Sequence, residues 1–246
     1  MLPALDADSL LALWERALGQ PAGSRDDVLL RAMAQSAEPP RALSERNARF
    51  IEIHASLFGR DLALVSHCPA CGAIAEFTGD CAVLTRRLAE EMSTPEEGSS
   101  HHLESHGHLV EFRLPDAADV KAASTEDADD DFVWRLLDRC VVKCTRDGAD
   151  VSVRELPGLV LEALSGRMEM LAPGASVSFA VTCPHCDARW NAPLDAAQLV
   201  WQKVQAAAER LLFEIDALAR AYGWTELDVL RLSPLRRAAY LQMVTS

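Results

Sequence analysis

The sequence predicts an α+β protein, mainly helical, with a small antiparallel β core and a C-terminal helical arm. Three observations carry this reading. Apolar residues recur at spacings of three and four through most of the chain, and alternation with period two is confined to short stretches. One of those stretches is written twice, at an offset of 115 residues. Alanine and leucine are abundant and aromatic residues make up only 6%, which favours helix over strand. With 246 residues, 49% apolar and 25% charged, the chain can bury a real core and is neither disordered nor fibrous.

Residues 1–60 read as N-terminal helices. Leu10, Leu13, Trp14 and Leu18 share one face behind an Asp8-Ser9 start and before a Gly19 stop. A second apolar run covers residues 28–37, and a third, over 43–58, sets Phe50, Ile53, Leu57 and Phe58 together before Gly59. Residues 61–195 read as a body in two halves. Leu62 and Leu64 alternate into Cys68-Pro69-Ala70-Cys71-Gly72, then Ile74 to Phe77 resumes, so a short hairpin carries a cysteine pair at its tip. Asp80 caps a helix running through Leu88.

Residues 90–107 read as an acidic, then histidine-rich surface excursion, with His101, His102, His106 and His108 on a solvated loop. A strand over Leu109–Leu114 follows, and Asp116 caps a short helix. The acids of residues 126–131 suit a helix start, where negative charge meets the positive end of the dipole. That helix carries Phe132 to Cys140, with Cys144 four residues on and sharing its face. Residues 156–171 are helical again, with Pro157 in the first turn, and Ser176–Thr182 alternates into a second cysteine pair. Residues 196–246 are helical throughout and form the arm, expected to be separable from the body after Pro193.

The duplicated unit is strand, knuckle, strand, Asp-capped helix. Asp61 to Cys71 lines up with Ser176 to Cys186, and Asp80, Ala82 and Leu84 stand in register with Asp195, Ala197 and Leu199. Two copies are too few for a solenoid and suit two halves of one domain. Cys68-x-x-Cys71 and Cys183-x-x-Cys186 therefore carry the sharpest chemistry in the chain. A C-x-x-C turn presents two thiolates to one side, and structural zinc takes four, so the economical site joins both knuckles around one structural Zn²⁺ in zinc-ribbon fashion. A thioredoxin-like redox pair fits poorly, because neither knuckle lies between a strand and the start of a long helix. Cys81, Cys140 and Cys144 read as buried thiols, although they and the His101–His108 cluster also offer ligands for a second metal. His102-x-Glu104-x-His106 lacks the order of a zincin helix.

The chain shows no glycine-rich phosphate cradle, nucleophile elbow or HExxH, so nothing in it asks for an enzyme. A formal net charge of -13 disfavours nucleic acid and anionic membrane as partners and leaves proteins. No apolar run is long enough to span a bilayer, the N-terminus lacks a basic region before its apolar stretch, and seven cysteines make an odd number. These features lead to the expectation of a reduced, cytoplasmic protein. In the arm, Val204, Ala208, Leu211, Ile215, Leu218 and Tyr222 form a narrow near-heptad seam. Gly223 ends that helix, Thr225 and Asp228 form a capping box, and Ser233-Pro234 starts a last helix with Tyr240. Leu211, Ile215, Leu218, Tyr222, Trp224 and Tyr240 are the candidate partner-binding residues, aromatics of this kind being enriched at binding hot spots.

A set of motifs in fixed order adds a resemblance. Leu57-Phe58-Gly59 precedes the first knuckle, a strand closes in Leu114-Pro115-Asp116-Ala117-Ala118, and a helix carries Leu136-Leu137-Asp138-Arg139-Cys140-Val141. The second knuckle leads to Trp190. The tail holds Tyr222-Gly223-Trp224, then Asp228-Val229-Leu230, Leu232-Ser233-Pro234, Arg236-Arg237 and Tyr240. From about residue 40 onwards the chain resembles the phage baseplate-hub assembly chaperone family of contractile tails, in the form found with phage-tail-like contractile injection systems. Residues 98–108 depart from it. The resemblance implies an assembly or accessory role at the baseplate, with hub or spike proteins as partners and no known chemistry. The knuckles alone would also permit a zinc-ribbon adaptor or transcription-type regulator, a reading the net charge opposes.

Overall fold

The computed structural model describes residues 5–33, 38–91, 99–124 and 132–245. Three helices come first: α1 (Ala7–Leu18), α2 (Ala22–Met33) and α3 (Leu43–Phe58). The cap of α1 is Asp6 rather than Asp8, its carboxylate accepting from the Ser9 amide at 2.8 Å. A hairpin of β1 (Asp61–His67) and β2 (Ile74–Asp80) leads into α4 (Cys81–Glu91). The expected cap holds there, Asp80 Oδ1 accepting from the amides of Ala82 and Val83 at 2.7 and 3.1 Å. The acidic residues 92–98 and 125–131 lie outside the described residues, as do residues 34–37 of the second expected helix.

Two expectations of the middle region are corrected. The histidine-rich segment is a strand, β3 (His101–Ser105), paired antiparallel with β4 (His108–Phe112). His102 and Glu104 face outward while His101, Leu103 and Ser105 are half-buried, an alternation that polar residues had hidden. The chain reverses at His106 and Gly107, both at positive φ (50° and 75°), as a two-residue hairpin turn requires. Nor do Cys140 and Cys144 share a helix. After α5 (Ala117–Ala123), α6 (Phe132–Cys140) ends at Cys140, and Cys144 sits on β5 (Val141–Arg146). The β-branched pair Val141-Val142 and the Asp147-Gly148 turn, again at positive φ, convert the segment to a strand folding back to β6 (Ala149–Asp150). Both thiols are buried, as read.

The chain continues through α7 (Gly158–Leu171), the hairpin β7 (Val177–Thr182) and β8 (Arg189–Leu194), and the helices α8 (Ala196–Tyr222), α9 (Glu226–Leu230) and α10 (Pro234–Thr245). Among the described residues the strands form three antiparallel sheets: β1-β2, β3-β4-β5-β6 and β7-β8. The fold is α+β and mainly helical, as the sequence predicts. No helix is long and apolar enough to cross a membrane among the described residues.

The packing shows how α8 is used. Its first half, Ala196, Val200, Trp201 and Val204, enters the main core beside Leu13, Leu29, Phe50, Ile51, Leu62 and Leu84, which come from α1, α2, α3, β1 and α4. Its second half, Ala208, Leu211, Ile215 and Leu218, meets Leu11 of α1 and Val229 of α9, with Tyr240, Leu241 and Val244 of α10 packed alongside. The separable arm is thereby corrected: removing residues beyond Pro193 would strip four buried side chains from the main core. A further cluster, Val110, Phe112, Cys144, Val160 and Leu164, fills the space between the four-stranded sheet and α7.

Candidate metal centre

Each hairpin tip folds by the same local rules. In the first, the Cys68 amide donates to the Ala73 carbonyl and the Gly72 amide to the Cys68 carbonyl, both at 2.8 Å. In the second, the Cys183 amide donates to the Ala188 carbonyl at 2.8 Å and the Asp187 amide to the Cys183 carbonyl at 3.2 Å. The residue after each second cysteine takes positive φ, 74° at Gly72 and 57° at Asp187. Glycine and aspartate are among the residues that tolerate this conformation. The duplication read from sequence is therefore a duplication of geometry.

The two hairpins face each other across a small apolar seam. Ala75, Val181 and Ala192 are buried there, with Phe77, Phe179 and Trp190 against them. The rings of Phe77 and Phe179 lie 5.6 Å apart, and Trp190 Nε1 donates to Ser66 Oγ at 3.3 Å. A Cβ at Gly79 would come within 2.9 Å of the Phe179 ring, so the glycine opens the space that ring occupies. Asp80 and Asp195 cap the helix behind each hairpin, Asp195 accepting from the Gln198 amide at 2.9 Å.

This seam brings the two tips together. The sulfurs of Cys68, Cys71, Cys183 and Cys186 all lie within 4.8 Å of one another. Cys68 Sγ is 3.7 Å from Cys186 Sγ, and Cys71 Sγ is 3.6 Å from Cys183 Sγ. A tetrahedral ion with metal–sulfur bonds of about 2.3 Å has sulfur–sulfur edges of roughly 3.8 Å, so the cluster already has the right size. Cys68 and Cys183 are buried, while Cys71 and Cys186 are exposed. The His185 amide, 3.4 Å from Cys183 Sγ, leads the interactions that lower that thiol to about 6. At Cys186 the Ala188 amide favours the thiolate, yet the neighbouring sulfurs of Cys71, Cys183 and Cys68 outweigh it and push the thiol to about 12. Four thiolates this close cannot all ionise alone. A cation among them removes the conflict, and these four residues can hold a metal ion.

The candidate partner residues fare differently. Leu211, Ile215 and Leu218 are buried within the chain, so the seam is not open to another protein as expected. Tyr222, Trp224 and Tyr240 form a closed aromatic cluster: Tyr222 stacks on Trp224 at 4.7 Å, and Tyr240 stands edge-on to Trp224 at 4.9 Å. Trp224 and Tyr240 are half-buried by this packing, and Tyr222 stays exposed. Cys81 is a buried thiol, its sulfur 3.6 Å from His54 Nδ1, and burial raises its pKa.

One charged cluster was not anticipated. Asp119 of α5 is buried and accepts from Arg113 Nη1 and Nη2 (2.5 and 2.7 Å), from Arg139 Nε (3.0 Å) and from the Asp116 amide (3.1 Å). The Arg113 guanidinium leads the causes that hold its carboxyl well below the usual carboxylate range. Arg41 pairs with the neighbouring Asp116 at 2.7 Å. The network ties Arg113, the residue after β4, to α5 and α6 through residues that lie in or beside the segments carrying the family resemblance.

The fold and site define a mainly helical α+β protein in which two duplicated hairpins converge four cysteines able to hold a metal ion. Compared with family models, with curated proteins and with solved structures, the chain finds no match.

Proposed function

We propose that the ion is a structural zinc and that the protein is a non-enzymatic assembly or accessory factor of a phage-tail-like contractile injection system, binding hub or spike proteins of the baseplate. Four thiolates at tetrahedral spacing suit zinc, and a complete set of four protein ligands leaves no position for substrate. The contractile-system role rests on the family resemblance from about residue 40 onwards. The observation that carries the binding role is a set of exposed apolar side chains on the C-terminal helices. With the seam turned inward, Phe213 of α8 and Leu235 and Met243 of α10 remain 67%, 85% and 67% exposed. Apolar side chains so far out of the core are available to a protein surface.

Co-expression with hub and spike proteins of a contractile baseplate tests the reading. The tagged chain should retain a hub or spike protein, and Phe213→Glu with Leu235→Glu should release it without changing the melting temperature. Retention should persist at high salt, since contacts to nucleic acid would weaken steeply. Absence of any baseplate protein from the purified material, or unchanged retention by the double variant, would refute the role or the surface respectively.

A further inference from the structure

The pairing of the four sulfurs points to a second use of the same cluster. All four sulfurs lie within 4.8 Å of one another, and two of the contacts, Cys68 to Cys186 at 3.7 Å and Cys71 to Cys183 at 3.6 Å, cross between the halves. Each also joins an exposed cysteine to a buried one: Cys186 and Cys71 are exposed, whereas Cys68 and Cys183 retain 2% and 1% of their accessible surface. We propose that hydroperoxides convert the metal clasp into a covalent one, with disulfides Cys68–Cys186 and Cys71–Cys183 replacing the ion. This deepens the metal reading and rests on it.

The chemistry follows from exposure and distance. With a cation holding the cluster ionised, peroxide reaches an exposed thiolate, Cys186 or Cys71. That sulfur attacks one peroxide oxygen, the O–O bond breaks, and a sulfenic acid and hydroxide result. The buried thiolate of the opposite half then attacks the sulfenic sulfur. A disulfide forms, the S–O bond breaks, and a second hydroxide leaves. Two sulfurs lose one electron each and the two peroxide oxygens are reduced to hydroxide, which takes protons from solvent. The first disulfide leaves only two thiolates, too few to hold a tetrahedral ion, so the metal departs and the second pair reacts with a second peroxide. The sulfurs need close only from 3.6–3.7 Å to about 2.0 Å. Oxidation therefore keeps the two hairpins together, where disulfides within each knuckle would let them part.

The pairing also gives the proposal a direct readout. A Cys68–Cys186 bond joins residues 118 apart, while a bond within a knuckle closes a tiny loop and links nothing distant. The full zinc-loaded chain is treated with two equivalents of hydrogen peroxide, zinc release is followed with a chromogenic chelator, and the product is digested and mapped without reduction. Release of the bound zinc, faster migration on a non-reducing gel, and peptides joining Cys68 to Cys186 and Cys71 to Cys183 are expected. Cys81, Cys140 and Cys144, all buried, should stay reduced. Peptides joining Cys68 to Cys71 and Cys183 to Cys186, or sulfinic acids in place of disulfides, would overturn the proposal. A purified chain carrying no metal would end the metal reading alone. The same mapping on that metal-free, reduced chain still decides the pairing.

Discussion

Asp119→Asn isolates the contribution of one buried carboxylate to this fold. The side chain of Asp119 is 3% exposed and pairs with Arg113 and Arg139, whose side chains are 33% and 44% exposed. The substitution keeps its shape and removes its charge, leaving Arg113 and Arg139 facing an amide. Breaking a well-bonded buried ion pair from one side costs about 3–5 kcal/mol. For a chain of this size, where 1 kcal/mol moves the midpoint by roughly 2–4 °C, the melting temperature should fall by about 10 °C. The pH dependence fixes the cause. A carboxyl held low in the folded state contributes stability that is complete above its unfolded range near pH 4 and is lost as pH falls below it. The variant's deficit should therefore be full at pH 7 and shrink on acidification below about pH 4. Guanidinium denaturation of both proteins between pH 3 and pH 7 makes the comparison. A loss under about 1 kcal/mol at pH 7, or a deficit independent of pH, would refute the reasoning.

Other substitutions test the remaining packing and charge. Asp26 is raised to about 6, chiefly by burial, with Arg46 opposing and Asp195 and Asp27 reinforcing the shift. A raised carboxyl favours the folded state as pH falls towards its unfolded value, so ionised Asp26 costs stability at neutral pH. Asp26→Asn should stabilise the protein by about 2 kcal/mol at pH 8 and flatten the gain wild type shows between pH 7 and pH 5, both read by thermal melting. Leu218, fully buried where α8 meets α9 and α10, should lose about 2–5 kcal/mol as Leu218→Ala in chemical denaturation, whereas a freely exposed arm would lose almost nothing. Truncation after Pro193 should yield an unfolded chain by circular dichroism, because Val200, Trp201 and Val204 leave the main core with it.

The parts of this fold that were legible in the sequence are those written in a few neighbouring residues. Asp80, Asp116 and Asp195 act as caps because a carboxylate before a helix finds amides two or three positions on. The knuckles and their duplication were equally plain, since a C-x-x-C turn is a local shape and its repeat sets the ligand count. What failed was whatever depended on a distant partner. The apolar stripe on α8 is plain in the sequence, but its period says nothing about whether α1 and α10 or another protein covers it, and the expectation of a partner there is the one the structure corrects. The ion network around Asp119 joins residues 6 and 20 positions away, on different elements, and no spacing rule announces it. The strand at His101–Ser105 was hidden because its inward positions are histidine and serine as well as leucine, so the alternation is one of exposure more than of hydropathy.

The central claim is that one metal ion, proposed to be zinc, joins the two hairpins through Cys68, Cys71, Cys183 and Cys186. X-ray absorption at the zinc edge, with elemental analysis on the same chain purified without added metal, tests it most directly. One zinc per chain, surrounded by four sulfurs at about 2.3 Å, is the predicted result. A stoichiometry near zero, or a first shell containing nitrogen or oxygen in place of any of the four sulfurs, would contradict it.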